Sequence, residues 1–184
     1  MRTRSLAPIA SALLVLVSVV GCGVARQLTT RHKTVTYTAS LPPVPANTME
    51  HTQITLSDDV RSTYSKYHGG VDWSRLAYQA HNSSALQSST LKLYASLDGS
   101  LTAGQLDQQA TLVETITLAP SEDRTVSLDQ APENEPMRSF LASALSQHDV
   151  TTIYLYGTSS SADPAAMISV QSFTAQVQVH GSYF

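Results

Sequence analysis

Residues 168–179 read ISVQSFTAQVQV. Ile168 and Val170 are apolar at even positions, whereas Phe173, Ala175, Val177 and Val179 are apolar at odd ones. Successive side chains of a strand point to opposite faces, so each half reads as a strand with one apolar side. A slip of one residue between the halves would turn one apolar set toward water. A β-bulge or a bend near Gln171 and Ser172 reconciles both halves with a single core. The stretch predicts one long, irregular strand packed on one side.

The same period of two recurs upstream. Val35, Tyr37 and Ala39 alternate with Thr34, Thr36 and Thr38, and Ile54 and Leu56 with Thr55 and Ser57. Leu76, Tyr78 and Ala80 alternate with Ala77, Gln79 and His81, and Leu91, Leu93, Ala95 and Leu97 with Lys92, Tyr94 and Ser96. Leu112, Ile116 and Leu118 share a face with Glu114; Val126 and Leu128 follow, then Ile153 and Leu155. These segments are β-branched, Thr-rich and bounded by Pro, Asn, Asp and Gly, which marks strands. The Pro-rich stretch from Leu41 to Ala46 is expected to be a connection, because proline cannot continue a central strand.

Two segments have a helical period instead. Met137, Phe140, Leu141, Ala144 and Leu145 form an amphipathic stripe over 136–147, with Pro136 suited to a first turn. Val60, Tyr64 and Tyr67 make a weaker stripe over 58–68, with Asp58 as a cap and Gly69-Gly70 as a stop. The fold expected is mainly β: an antiparallel two-layer β-sandwich of about seven to nine strands, with one amphipathic helix and a second short one.

Composition narrows the function classes. Of 184 residues, 45 are Ser or Thr, and Lys plus Arg number 11 against 14 Asp plus Glu. No basic excess exists to neutralise a phosphate backbone, so nucleic acid is not an expected partner. The one Cys excludes a disulfide framework within the chain and a multi-Cys zinc site.

That Cys sits in a telling place. Arg2 and Arg4 precede a nearly unbroken apolar run from Leu6 to Val20, short against the about 20 residues that span a bilayer. The run ends in Val19-Val20-Gly21-Cys22, which resembles the lipobox of bacterial lipoproteins. The resemblance implies cleavage before Cys22 and a thioether-linked diacylglycerol on it, with acyl chains such as palmitate holding the protein to a membrane. The expected organisation is a signal peptide at 1–21, the lipidated Cys22 and a tether at 22–32, and one sandwich domain at 33–184. By the same resemblance, Gly23 rather than Asp after the Cys implies an outer-membrane or cell-surface destination in a cell with two membranes.

No catalytic set, metal site or cofactor is expected. Ser89-Thr90-Leu91-Lys92 matches the S-x-x-K pattern of penicillin-binding enzymes, but on a strand residues three apart face opposite ways. His51, His81 and His180 fall opposite the apolar sets and lack a metal-binding spacing. Tyr64, Tyr67 and Trp73 lie near Asp58, Asp59 and Asp72 and offer either a ligand platform for sugars or ordinary packing. Tyr154 and Tyr156 are expected beneath the helix at 136–147. The face of that helix made by Met137, Phe140, Leu141 and Leu145 is expected on the sheet, with a docking role as the alternative. Asp98-Gly99 reads as a turn. The function expected is therefore a membrane-anchored envelope lipoprotein with a non-catalytic structural or interaction domain. Its partner would be an envelope protein or cell-wall polysaccharide; the alternatives are a carbohydrate- or peptidoglycan-binding module and a lipid carrier.

Overall fold

The computed structural model describes residues 31–66, 69–130, 136–147 and 149–181. Eight strands occur among them: β1 (Arg31–Pro45), β2 (Met49–Thr55), β3 (Gly70–Asn82), β4 (Ser89–Ser96), β5 (Thr111–Leu118), β6 (Asp123–Gln130), β7 (Thr152–Ser161) and β8 (Met167–Gly181). The helices are α1 (Asp58–Lys66), α2 (Leu106–Gln109), which continues from a 3-10 turn at Ala103–Gln105, and α3 (Pro136–Ser146). Sheet I has the order β1-β8-β3-β6 and sheet II the order β2-β7-β4-β5, with every pairing antiparallel. Packed face to face, these orders make an eight-stranded jelly-roll sandwich.

The bend in β8 lies where the two apolar phases meet. On β1, Phe173 pairs with Ala39 but Val170 with Leu41; on β3, Thr174 pairs with Ala77 but Gln171 with Gln79. Ser172 absorbs the extra residue at φ 53°, a left-handed conformation uncommon outside glycine. Ile168, Val170, Phe173, Ala175, Val177 and Val179 consequently all face the core. Opposite them stand Leu91, Leu93 and Ala95 of β4 with Ile153 and Leu155 of β7, all buried. Tyr78 stacks on Phe173 at 6.1 Å between ring centres, and the two rings fill the middle of the sandwich.

Four expectations are corrected. The stretch from Leu41 to Pro45 is strand, not connection: β1 is the edge of sheet I, and two register shifts let Pro42 and Pro43 face out while Leu41 and Val44 are buried. Strand β1 also begins at Arg31, so His32 belongs to the sheet and not to the tether. On β5 a bulge between the partners of Leu93 and Tyr94 turns Val113 inward and leaves Leu112 42% exposed. Tyr154 and Tyr156 do not lie under α3, which packs against β3, β5 and α1.

Instead, the outer face of sheet II has its own small core. Register aligns His51, Tyr156 and Tyr94 across β2, β7 and β4. The 97–110 connection folds back over the two tyrosines, and Leu101 and Leu106 bury them while His51 at the end of the row stays exposed. The Tyr156 hydroxyl donates to the Asp98 carbonyl at 2.7 Å and accepts from the Leu101 N–H at 3.3 Å. The Asp98-Gly99 turn starts this connection. A Cβ on Gly99 would come within 2.4 Å of the Tyr154 ring, so glycine permits the close approach.

On α3, Met137, Leu141, Ala144 and Leu145 are buried, whereas Phe140 is only partly so. Leu141 is thus a deeper anchor than Phe140. No helix among the described residues is long and apolar enough to cross a membrane.

Candidate functional site

The outer face of sheet I is a grid of polar side chains fixed by register. Nearest the start of β1, His32 of β1, His180 of β8 and Gly70 of β3 pair in a row. Asp72, the extra residue between the paired positions Val71 and Trp73, reaches both rings: its Oδ2 is 2.9 Å from His32 Nδ1, and its Oδ1 contacts His180 Nδ1. Gly70 leaves room for the His180 ring, which a Cβ there would strike at 2.6 Å. Further along, the Gln178 and Gln176 amides donate to Thr34 and Thr36 at 3.2 and 3.3 Å, and Arg75 pairs with Asp129.

Beyond the bulge the pattern changes. Gln171, Gln79 and Thr125 pair across β8, β3 and β6, and Ser169, His81 and Asp123 form the next row. These six side chains, with Ala80 and Arg124, line a depression of about 280 Å³. His81 Nδ1 lies 2.9 Å from Asp123 Oδ1, and Arg124 is held by Glu122, with Nη2 2.6 Å from Oε1. The backbone N–H of Ala119, and next Arg124, hold the Glu122 carboxyl below its ordinary range. The side chains of Gln171, Gln79, Thr125 and Ser169 make no hydrogen bond to another described residue. The depression is therefore rich in unused donors and acceptors, with its carboxylate, Asp123, bonded to His81 and its guanidinium, Arg124, bonded to Glu122.

A second hollow of about 280 Å³ lies on sheet II between the 97–110 connection and the β1–β2 turn, lined by Thr90, Lys92, Asp107 and Thr158 among others. Its groups are more committed. The Tyr94 hydroxyl donates to Asp107 Oδ1 at 2.6 Å, and Lys92 Nζ stands 3.7 Å from the same oxygen. Burial, then the bond to Asp107, pushes the Tyr94 phenol up to about 12, while Tyr94 and Lys92 hold Asp107 below the carboxylate range.

Of the sequence-selected residues, Cys22 and Tyr67 lie outside the described residues, as do the side chains of Tyr64 and Trp73; the Trp73 backbone pairs with Gln178. Ser89 is buried and donates to Asn82 Oδ1, whereas Lys92 lies on the opposite face, so the S-x-x-K pair does not converge. Among the described residues no group of three or more His, Cys, Asp or Glu is arranged to hold a metal. No sequence motif marks Gln79, Gln171, Thr125 and Ser169 as a site. Their only signals are outward phase and, for Gln171, its place at the slip.

The described residues form an eight-stranded antiparallel jelly-roll sandwich with an open polar face. Neither a family model nor a curated protein sequence matches the chain. Among solved structures it is similar to the xylan-binding module CBM15, 10% identical, covering 80% of this chain and 97% of that one at a TM-score of 0.41. It is also similar to Mud crab tombus-like virus, 9% identical over 83% and 80% at 0.41, and to Turnip yellow mosaic virus, 8% identical over 83% and 80% at 0.36. Likeness this shallow carries no functional argument, and the site's own geometry must supply it.

Proposed function

We propose that this protein is a lipid-anchored bacterial envelope protein. Its sandwich is a non-catalytic binding domain, and the depression on sheet I holds another component of the envelope. The observation that carries the reading is the set of four unused polar side chains, Gln171, Gln79, Thr125 and Ser169, gathered on neighbouring strands. Elsewhere on the same face outward side chains bond to one another, as Gln178 does to Thr34 and Gln176 to Thr36.

Position supports the same reading. From Cys22 to Arg31 the chain reaches at most about 30 Å when fully extended, so the β1 start stays near the membrane. From His180 to Ser169, β8 carries the sheet roughly 35 Å further at ~3.3 Å per residue. The depression thus sits at the end of the sheet away from the anchor, where wall or surface material is met. The lipid-carrier alternative is not favoured, because Leu76, Tyr78, Leu93, Leu155 and Phe173 occupy the space between the sheets.

Two measurements test the proposal. Cys22→Ser should abolish palmitate labelling and release the protein from membranes; continued labelling would refute the anchor. Full-length protein in detergent should bind isolated envelope material of the producing organism, and Gln79→Ala with Gln171→Ala should remove that binding without lowering the melting temperature. Unchanged binding by the double variant would refute the site.

A further inference from the structure

We infer that the depression on sheet I takes a neutral, hydroxyl-rich chain, a segment of an uncharged polysaccharide; this rests on the reading of that face as the binding surface. The argument is one of matching groups. Gln171 and Gln79 stand directly opposite each other across β8 and β3, with Thr125 beside Gln79 on β6. Each amide offers two N–H donors and a carbonyl acceptor, and each hydroxyl of Thr125 and Ser169 donates and accepts. A ligand made of hydroxyls is likewise donor and acceptor at every position, so it satisfies this set without leaving a group unpaired.

Charge selects against the other classes. The one guanidinium at the rim, Arg124, is already paired with Glu122, and the Asp123 carboxylate is hydrogen-bonded to His81. A phosphate or carboxylate would find no unpaired cation in the lining and would meet the Asp123 carboxylate, which costs free energy through like-charge repulsion. A cationic ligand would find only the Asp123 carboxylate, already bonded to His81 and so exposed that water screens the attraction. A neutral ligand meets neither obstacle.

Shape points to a polymer segment. At about 4.8 Å between strands, the row from Gln171 to Thr125 spans roughly 10 Å. At about 280 Å³ the depression is at the small end of ligand sites, with open ground beyond it where Ala77 lies between Thr174 and Ser127. A few sugar rings would be held and the rest of the chain would run past. The described lining offers hydrogen bonds and no Trp, Tyr or Phe ring for stacking, so a single site binds weakly, in about the millimolar range. Many copies anchored in one membrane would raise the effective affinity by avidity.

The test uses full-length, isotope-labelled protein in detergent micelles, titrated with cellohexaose, xylohexaose and chitohexaose as neutral probes and hexagalacturonate as the acidic one. The expected result is a millimolar shift of the Gln79, Gln171, Thr125 and Ser169 signals with at least one neutral probe and none with the acidic probe. Gln79→Ala and Gln171→Ala should each weaken it about tenfold, with unchanged melting temperature. Equal binding of hexagalacturonate, or shifts confined to other residues, would overturn the inference. If no neutral probe binds while the double variant still loses isolated envelope material, the ligand class is wrong and the binding face stands. If the double variant keeps that material, both fail.

Discussion

The two sheets have outer faces built by one rule and put to different uses. In each, residues opposite the core set point outward. On sheet II those residues include Tyr94, Tyr154 and Tyr156, and the 97–110 connection returns over them to make a second small core, with His51 exposed beside them. On sheet I they are Thr34, Thr36, Gln176, Gln178, Gln79 and Gln171, and the face stays open. Outward phase alone decides neither outcome. An aromatic row invites a covering segment because each buried ring removes apolar area from water; an amide and hydroxyl row gains little from cover and remains available to a ligand.

The largest expected effect separates the faces directly. Tyr156→Ala should cost about 3–5 kcal/mol through lost burial and a cavity, lowering the melting temperature by roughly 10 °C at this chain size. It also removes the phenol that holds Asp98 and Leu101. Leu106→Ala, which loosens the same cover from the other side, should cost about 2–4 kcal/mol. A thermal melt unchanged by both would mean that the connection lies on the sheet without stabilising it.

The pH dependence sharpens the contrast, since the strongly raised phenol of an outer face belongs to sheet II. Tyr94 is pushed up to about 12 by burial and Asp107. Between pH 10 and about 12 an unfolded phenol releases its proton while the folded one keeps it. The unfolded state then binds fewer protons, so stability should fall as pH rises through that window. Urea midpoints across it should decline less steeply for Tyr94→Phe; identical slopes would remove Tyr94 as the cause. The smallest effect is expected on sheet I. Gln79→Ala and Gln171→Ala should each stay within about 0.5 kcal/mol of the parent, and a larger loss would make those residues structural.

Much of the fold was legible before any coordinates. The phase change between Val170 and Phe173 located the irregularity in β8, and Ser172 at φ 53° occupies it. The strand character of 41–45 was not legible, because the rule against proline concerns central strands and only the assembled sheet makes β1 an edge. Leu112 misled because it is in phase with Ile116, and a bulge at Val113 breaks that phase. The burial of Tyr94 and Tyr156 depended on where a connection folds back, which period two does not encode. The candidate site was least legible. Gln79, Thr125 and Gln171 come from three strands far apart in sequence, and each alone looks like any solvated residue until β3 pairs with both β6 and β8.

Hydrogen exchange of the full-length protein, with and without isolated cell-wall material of its own organism, tests the central claim most directly. Added protection is expected in residues 169–171, 79–81 and 123–125 and none in 97–110 or β2. Protection of 97–110 and β2 with sheet I unchanged would move the binding face to sheet II and refute the site on sheet I.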